Sequence, residues 1–103
     1  MYDQDTLDEV IRRIVEVVAP EKIILFGSAA RGDMTRHSDL DLLIIKEGGD
    51  ARLRGRIHEG LYGVRVPVDA ILVSPADVER YKNSHALVIK PALKEGRVVY
   101  EAS

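Results

Sequence analysis

Apolar residues near the N-terminus recur at the spacing of one helical face. Leu7, Val10, Ile11, Ile14, Val17 and Val18 form the stripe, with charged residues between them. This predicts an amphipathic helix from about Leu7 to Val18. Thr6 and Glu9 fit a capping box at its start, and Pro20 marks its stop. The periodicity then changes. Lys22 to Phe26 (KIILF) is a continuous apolar run that reads as a buried strand ending at Gly27-Ser28. A loop with room for one helical turn leads to Asp39–Ile45 (DLDLLII), a second strand. Both of its faces are apolar after Asp41, which predicts a central strand covered on both sides.

Gly48-Gly49 reads as a turn, and Asp50 can cap a helix over Ala51–Tyr62. Leu53, Ile57 and Leu61 share one face of that helix, which Gly55 and Gly60 weaken and Gly63 ends. Val64–Val73 (VRVPVDAILV) predicts a third strand, with Pro67 marking a bulge or a sheet edge. Ser74, Pro75 and Asp77 form a helix-start signature. The remainder reads as helices broken near Asn83-Ser84 and disturbed at Pro91. Gly96 closes the last one, and Arg97–Tyr100 can add a strand. The order α-β-(turn)-β-α-β-α-α-β predicts an α/β (α+β) domain, a mixed sheet with helices packed on it.

The 103 residues are expected to form one domain, residues 1–103, with a single core. A hydrophobic fraction of 46% argues against a disordered chain. The formal net charge is -2, so no basic field exists for direct nucleic-acid binding. With no cysteine, disulfides, thiolate zinc sites and cysteine nucleophiles are excluded. No apolar run approaches the roughly 18 residues of a membrane span, and no secretory signal is evident, so the expected location is the cytoplasm. Gln4 and Asn83 are the only carboxamides while 31% of residues are charged, a balance that suggests a heat-stable protein.

The candidate chemistry lies between Phe26 and Ile45 (FGSAARGDMTRHSDLDLLII). Gly27-Ser28 follows a buried strand. Glycine lets a ligand approach the backbone, N–H groups of a following helical turn point toward an anion, and Ser28 adds a hydroxyl. Alone, Gly-Ser after a strand is also an ordinary turn. Asp39 and Asp41 are two positions apart on a strand and point the same way. Two such carboxylates repel and lose hydration unless a cation compensates, and Mg²⁺ favours carboxylate and phosphate oxygens. A solvent-edge Asp39 with Asp41 capping or pairing with an arginine would serve the same pattern. Asp69, inside VPVDAILV, needs a partner among apolar neighbours. It either joins Asp39 and Asp41, if its strand is adjacent, or pairs with Arg65 or Arg31.

Taken together these features resemble the DNA polymerase β-like nucleotidyltransferase superfamily, and within it the minimal nucleotidyltransferases. That pattern is G-S-x-x-R-G, a spacer, then S-D-x-D and an apolar strand. Here it reads Gly27-Ser28-Ala29-Ala30-Arg31-Gly32, then Ser38-Asp39-Leu40-Asp41 and Leu42-Leu43-Ile44, with Asp69 matching the third carboxylate. The resemblance implies the nucleotidyltransferase fold and catalytic and metal-binding roles for Asp39, Asp41 and Asp69, with two Mg²⁺ ions as cofactors. It implies ATP as substrate, and nucleotide binding by Gly27, Ser28, Arg31 and Ser38. Arg31 either touches phosphate or braces the carboxylates. The resemblance also implies a HEPN-domain protein as partner, a tyrosine of that toxin as acceptor, and a role as antitoxin. Larger relatives carry an acceptor domain, so here the acceptor is expected on another chain or at a site completed by a homo-oligomer.

Other features carry less. Arg52, Arg54 and Arg56 read as a solvated helix face that can also steer a triphosphate or an acidic partner. His37 reads as an exposed loop residue, and His58 and His85 lack metal-ligand spacing. The tyrosines are scattered, so no stacking platform for nucleic acid is formed. Neither a P-loop nor a dinucleotide-binding motif occurs. Two further functions compete: a non-catalytic nucleotide- and partner-binding antitoxin subunit, and a small-molecule (aminoglycoside-type) nucleotidyltransferase. The D-x-D with a third Asp favours chemistry over pure binding.

Overall fold

In a computed structural model, residues 3–33, 39–84 and 89–102 are described. Ser38, His37 and His85 lie outside them. The elements are α1 (Gln4–Val18), β1 (Lys22–Phe26), α2 (Gly27–Arg31), β2 (Leu40–Ile45), α3 (Ala51–Gly60), β3 (Val68–Val73), α4 (Pro75–Tyr81), α5 (Ile89–Glu95) and β4 (Arg97–Glu101). Their order is the one the sequence pattern predicts.

The differences are at the boundaries. α1 begins at Gln4, not Leu7, because Asp3 rather than Thr6 caps it: the Asp3 carboxylate accepts from the Thr6 N–H at 2.7 Å. Glu9 is therefore not part of a box, and its carboxylate pairs instead with Arg12 and Arg13. β2 begins one position after Asp39, and α3 stops at Gly60. β3 is shorter than the predicted Val64–Val73, because Pro67 cannot donate to a ladder and the strand starts only after it. The expected caps at Asp50 and Ser74 are present, the latter as a capping box with Asp77. Pro91 sits near the start of α5 as described, where a missing N–H is tolerated.

The sheet order is β3-β2-β1-β4. β1 pairs antiparallel with β2 and β4, while β2 and β3 run parallel. The sheet is thus mixed, and α3 supplies the crossover that a parallel pair requires.

β2 is central and sandwiched, as its apolar sequence predicts. Leu40, Leu42 and Ile44 pack into one layer with Leu7, Val10 and Ile14 of α1 and Ile57 of α3. Leu43 and Ile45 face the other layer, with Ile89 and Ala92 of α5. Leu40, Leu42, Leu43 and Ile44 have no accessible surface. Each such side chain stabilises the fold by about 1.5–3 kcal/mol. The strand that carries Asp41 is therefore anchored from both sides. No helix among the described residues is long and apolar enough to cross a membrane.

Candidate active site

The site forms where β1 ends and β2 and β3 begin. Phe26, the last residue of β1, stands opposite Asp41. The chain must then turn into α2, and Gly27 does so with φ +71. A side chain at Gly27 would also overlap Asp41 Oδ2 and come within 3.1 Å of Asp41 Cγ. Glycine is required twice over here: for the left-handed backbone, and for the close approach of a carboxylate. This contact has no counterpart in the linear pattern.

Asp41 and Asp69 are register partners across the parallel β2–β3 pair. Register partners point to the same face of adjacent strands, which lie about 4.8 Å apart. Their face is that of α5, because Leu43 and Ile45 of β2 and Ile71 and Val73 of β3 pack there. Asp39 precedes β2 and is exposed, Asp69 is exposed, and Asp41 is half-buried.

Burial pushes the Asp41 carboxyl above the usual carboxylate range. The charges of Asp69 and then Asp39 push it the same way, and Arg31 opposes them. Among the described residues, none of the three carboxylates has an ion pair, so the alternative pairing of Asp69 with Arg65 or Arg31 is not formed. Nor does any group of three acidic or imidazole side chains among the described residues stand close enough to form a ready metal site. Both observations hold together, because Coulomb repulsion reaches further than shared coordination requires.

Arg31, at the end of α2, donates to Asp33 (3.3 Å) and to Glu95 at the end of α5 (3.5 Å). Bracing of Asp39 or Asp41 by a direct bond is not what it does. It ties α2 to α5 and acts on Asp41 only through its charge. The sequence contains no signal for Glu95, which lies far along the chain. Ser28 is half-buried, and its carbonyl accepts from Gly32 and from Asp33 (3.0 Å). That closes α2 after a single turn.

A glycine-serine turn pressed against an aspartate that feels the charge of two others is the arrangement expected of a phosphate- and cation-handling site. The profile described as polymerase beta, nucleotidyltransferase matches residues 8–103. The chain belongs to this nucleotidyltransferase family. Two relatives from Methanocaldococcus jannaschii are described as candidate protein adenylyltransferases. One is 35% identical over 81 residues, covering 70% of this chain and 55% of that protein. The other is 36% identical over 80 residues, covering 78% of each. The chain thus spans about half the length of the first relative. Among solved structures, a toxin–antitoxin with AMP-PNP matches with a TM-score of 0.70 at 16% identity, over 93% of this chain and 73% of that one. At that identity the likeness concerns the nucleotidyltransferase fold.

Proposed function

We propose that this protein transfers AMP, or another NMP, from the corresponding triphosphate to a hydroxyl on a partner protein. The observation that carries the reading is the in-register pair Asp41–Asp69, with the Gly27 backbone pressed against Asp41. The residues fit divalent cations: the charges of Asp69 and Asp39 act on Asp41 with only Arg31 opposing them, and the missing side chain of Gly27 makes room for Asp41 Oδ2 at the end of β1. Asp39, Asp41 and Asp69 would hold two Mg²⁺ ions, which would supply neutralisation of the triphosphate charge and of the charge that develops during transfer.

The chain's own residues do the rest. Gly27 and Ser28 receive the β- and γ-phosphates, the glycine by close backbone approach and the serine by its hydroxyl. Arg31 adds positive charge beside them, and Ser38 of the same motif completes the nucleotide contacts. Asp69, on the outermost strand, faces the acceptor and takes its proton. The acceptor oxygen bonds to the α-phosphorus, the bond to the bridging oxygen breaks, and pyrophosphate leaves. Rate enhancement comes from positioning and charge neutralisation.

The relatives described as candidate protein adenylyltransferases and the toxin–antitoxin likeness favour a protein acceptor. We take it to be a tyrosine of a HEPN-domain toxin, met in the cytoplasm and silenced by the modification. A non-catalytic antitoxin is the second reading, favoured by the separation of the carboxylates. Transfer of α-phosphate label from ATP with Mg²⁺ into host-lysate proteins, run beside Asp41→Asn, separates the two. A band labelled only by the wild type supports transfer. Toxin neutralisation that survives Asp41→Asn sinks it.

A further inference from the structure

Among the described residues β3 is an edge strand, with β2 as its one strand partner. The Pro67 and Val73 carbonyls accept from the Leu40 and Lys46 N–H groups at 2.8 and 2.9 Å. Backbone groups alternate along a strand, so Asp69 and Ile71 also turn theirs to β2, while Val68, Ala70 and Leu72 turn theirs outward. No described strand lies beyond them. Apart from Asp69, which belongs to the catalytic face, the edge residues are Val, Ala, Ile and Leu, without a lysine or a mid-strand proline to blunt the edge.

Basic groups flank this edge on one side. A cleft of about 250 Å³ between α3 and β3 is lined by Arg54, Ile57, His58 and Ala70. Arg52, Arg54 and Arg56 are exposed, and no carboxylate among the described residues pairs with them. Side chains of β3 alternate between this cleft and the catalytic face: Ala70 and Leu72 pack toward α3, Ile71 and Val73 toward α5. Asp69 is on the α5 side, beside Asp41.

We propose that the acceptor is an extended, acidic polypeptide segment that adds as a strand to the outer edge of β3. The proposal rests on the transferase reading above. Outward N–H and C=O groups of Val68, Ala70 and Leu72 give the backbone bonds of such an addition. Because Asp69 bonds toward β2, a residue opposite it in an antiparallel addition makes the closer, non-hydrogen-bonded pair, about 4.5 Å between Cα atoms. A hydroxyl side chain at that position meets Asp69 on the catalytic face. Its immediate neighbours in the segment point to the opposite face, onto Arg54 and His58. The acceptor is thus a hydroxyl residue with Asp or Glu directly adjacent. The transfer is unchanged: the hydroxyl oxygen bonds to the α-phosphorus, pyrophosphate leaves, and the proton passes to Asp69.

Two synthetic peptides test this, one tyrosine flanked on both sides by Glu and the same peptide with Lys. Titrated into the full chain, the Glu peptide should slow amide exchange at Val68, Ala70 and Leu72, and Ala70→Pro, which removes one outward donor, should abolish this protection. In labelled transfer the Glu peptide should be preferred by about threefold to tenfold in kcat/KM, and Arg54→Glu should reverse the preference. The reversal is a gain for the Lys peptide, so misfolding cannot mimic it. Unprotected edge amides, or a charge preference unmoved by Arg54→Glu, overturn the proposal. Protection without transfer to any acceptor sinks the transferase reading and leaves the docking edge standing. Transfer without protection does the reverse.

Discussion

Gly27→Ala tests the core of the site. The substitution forces an L-residue to φ +71, where the left-handed region costs about 1–2 kcal/mol. A domain of this size loses roughly 4–8 °C of Tm per kcal/mol, so the backbone effect alone lowers Tm by about 4–16 °C. The new methyl also overlaps Asp41 Oδ2, so the carboxylate must swing away. A misplacement of about 1 Å at a reacting group costs on the order of 100-fold in rate. Gly32→Ala is the matched control: φ is +81, and no described atom lies within 4 Å of the added carbon. The two variants share the backbone penalty and differ in the collision with Asp41. Labelled transfer, run below both melting midpoints with folding checked by circular dichroism, should fall much further in Gly27→Ala. Mg²⁺ binding by calorimetry should weaken in the same variant. Equal transfer rates for the two would refute the idea that Gly27 sets the position of Asp41.

Asp41→Asn should abolish transfer yet raise Tm at pH 7 in EDTA. An acid whose folded pKa is raised favours the fold below its unfolded pKa and opposes it as pH rises through the folded value, so removing that charge relieves a cost present at neutral pH. A lower Tm for Asp41→Asn would contradict this sign. Leu43→Ala, at a position without accessible surface, should cost about 2–5 kcal/mol in urea unfolding. A loss well below that range would mean the two layers close around the cavity. Asp3→Ala should lower Tm more than Thr6→Ala, because Asp3 accepts from both the backbone and the side chain of Thr6, and Thr6→Ala removes only the second bond. The opposite ranking would return the cap to Thr6.

The parts of the fold that sequence makes legible are those governed by local pattern. The apolar runs KIILF and LDLLII read as buried strands and are strands, and Asp50 and Ser74 announce their helices through capping chemistry. The start of α1 is harder to read, because Thr6-x-x-Glu9 matches a box that a better acceptor, Asp3, pre-empts. The pattern extends β3 too far, because alternation of Val64, Val66 and Val68 continues through Pro67, whereas the ladder cannot. The site was legible in composition but not in arrangement. Asp39 and Asp41 stand two positions apart at the start of an apolar run, so the D-x-D is legible locally, although β2 begins only at Leu40; the pairing of Asp69 with Asp41 depends on strand order, which no local rule gives. Arg31–Glu95 and Gly27–Asp41 are long-range contacts of the same kind.

The placement of two carboxylates on unequal strands bears on how the site fails. β2 is buried on both faces and bonded on both edges, so its amides should exchange only when the whole molecule opens. β3 is bonded on one edge, and none of its residues is fully buried. Asp41 is thereby guarded by global stability and Asp69 by a local, smaller free energy. On warming, the two carboxylates should therefore part company before the protein denatures, and loss of transfer should precede unfolding.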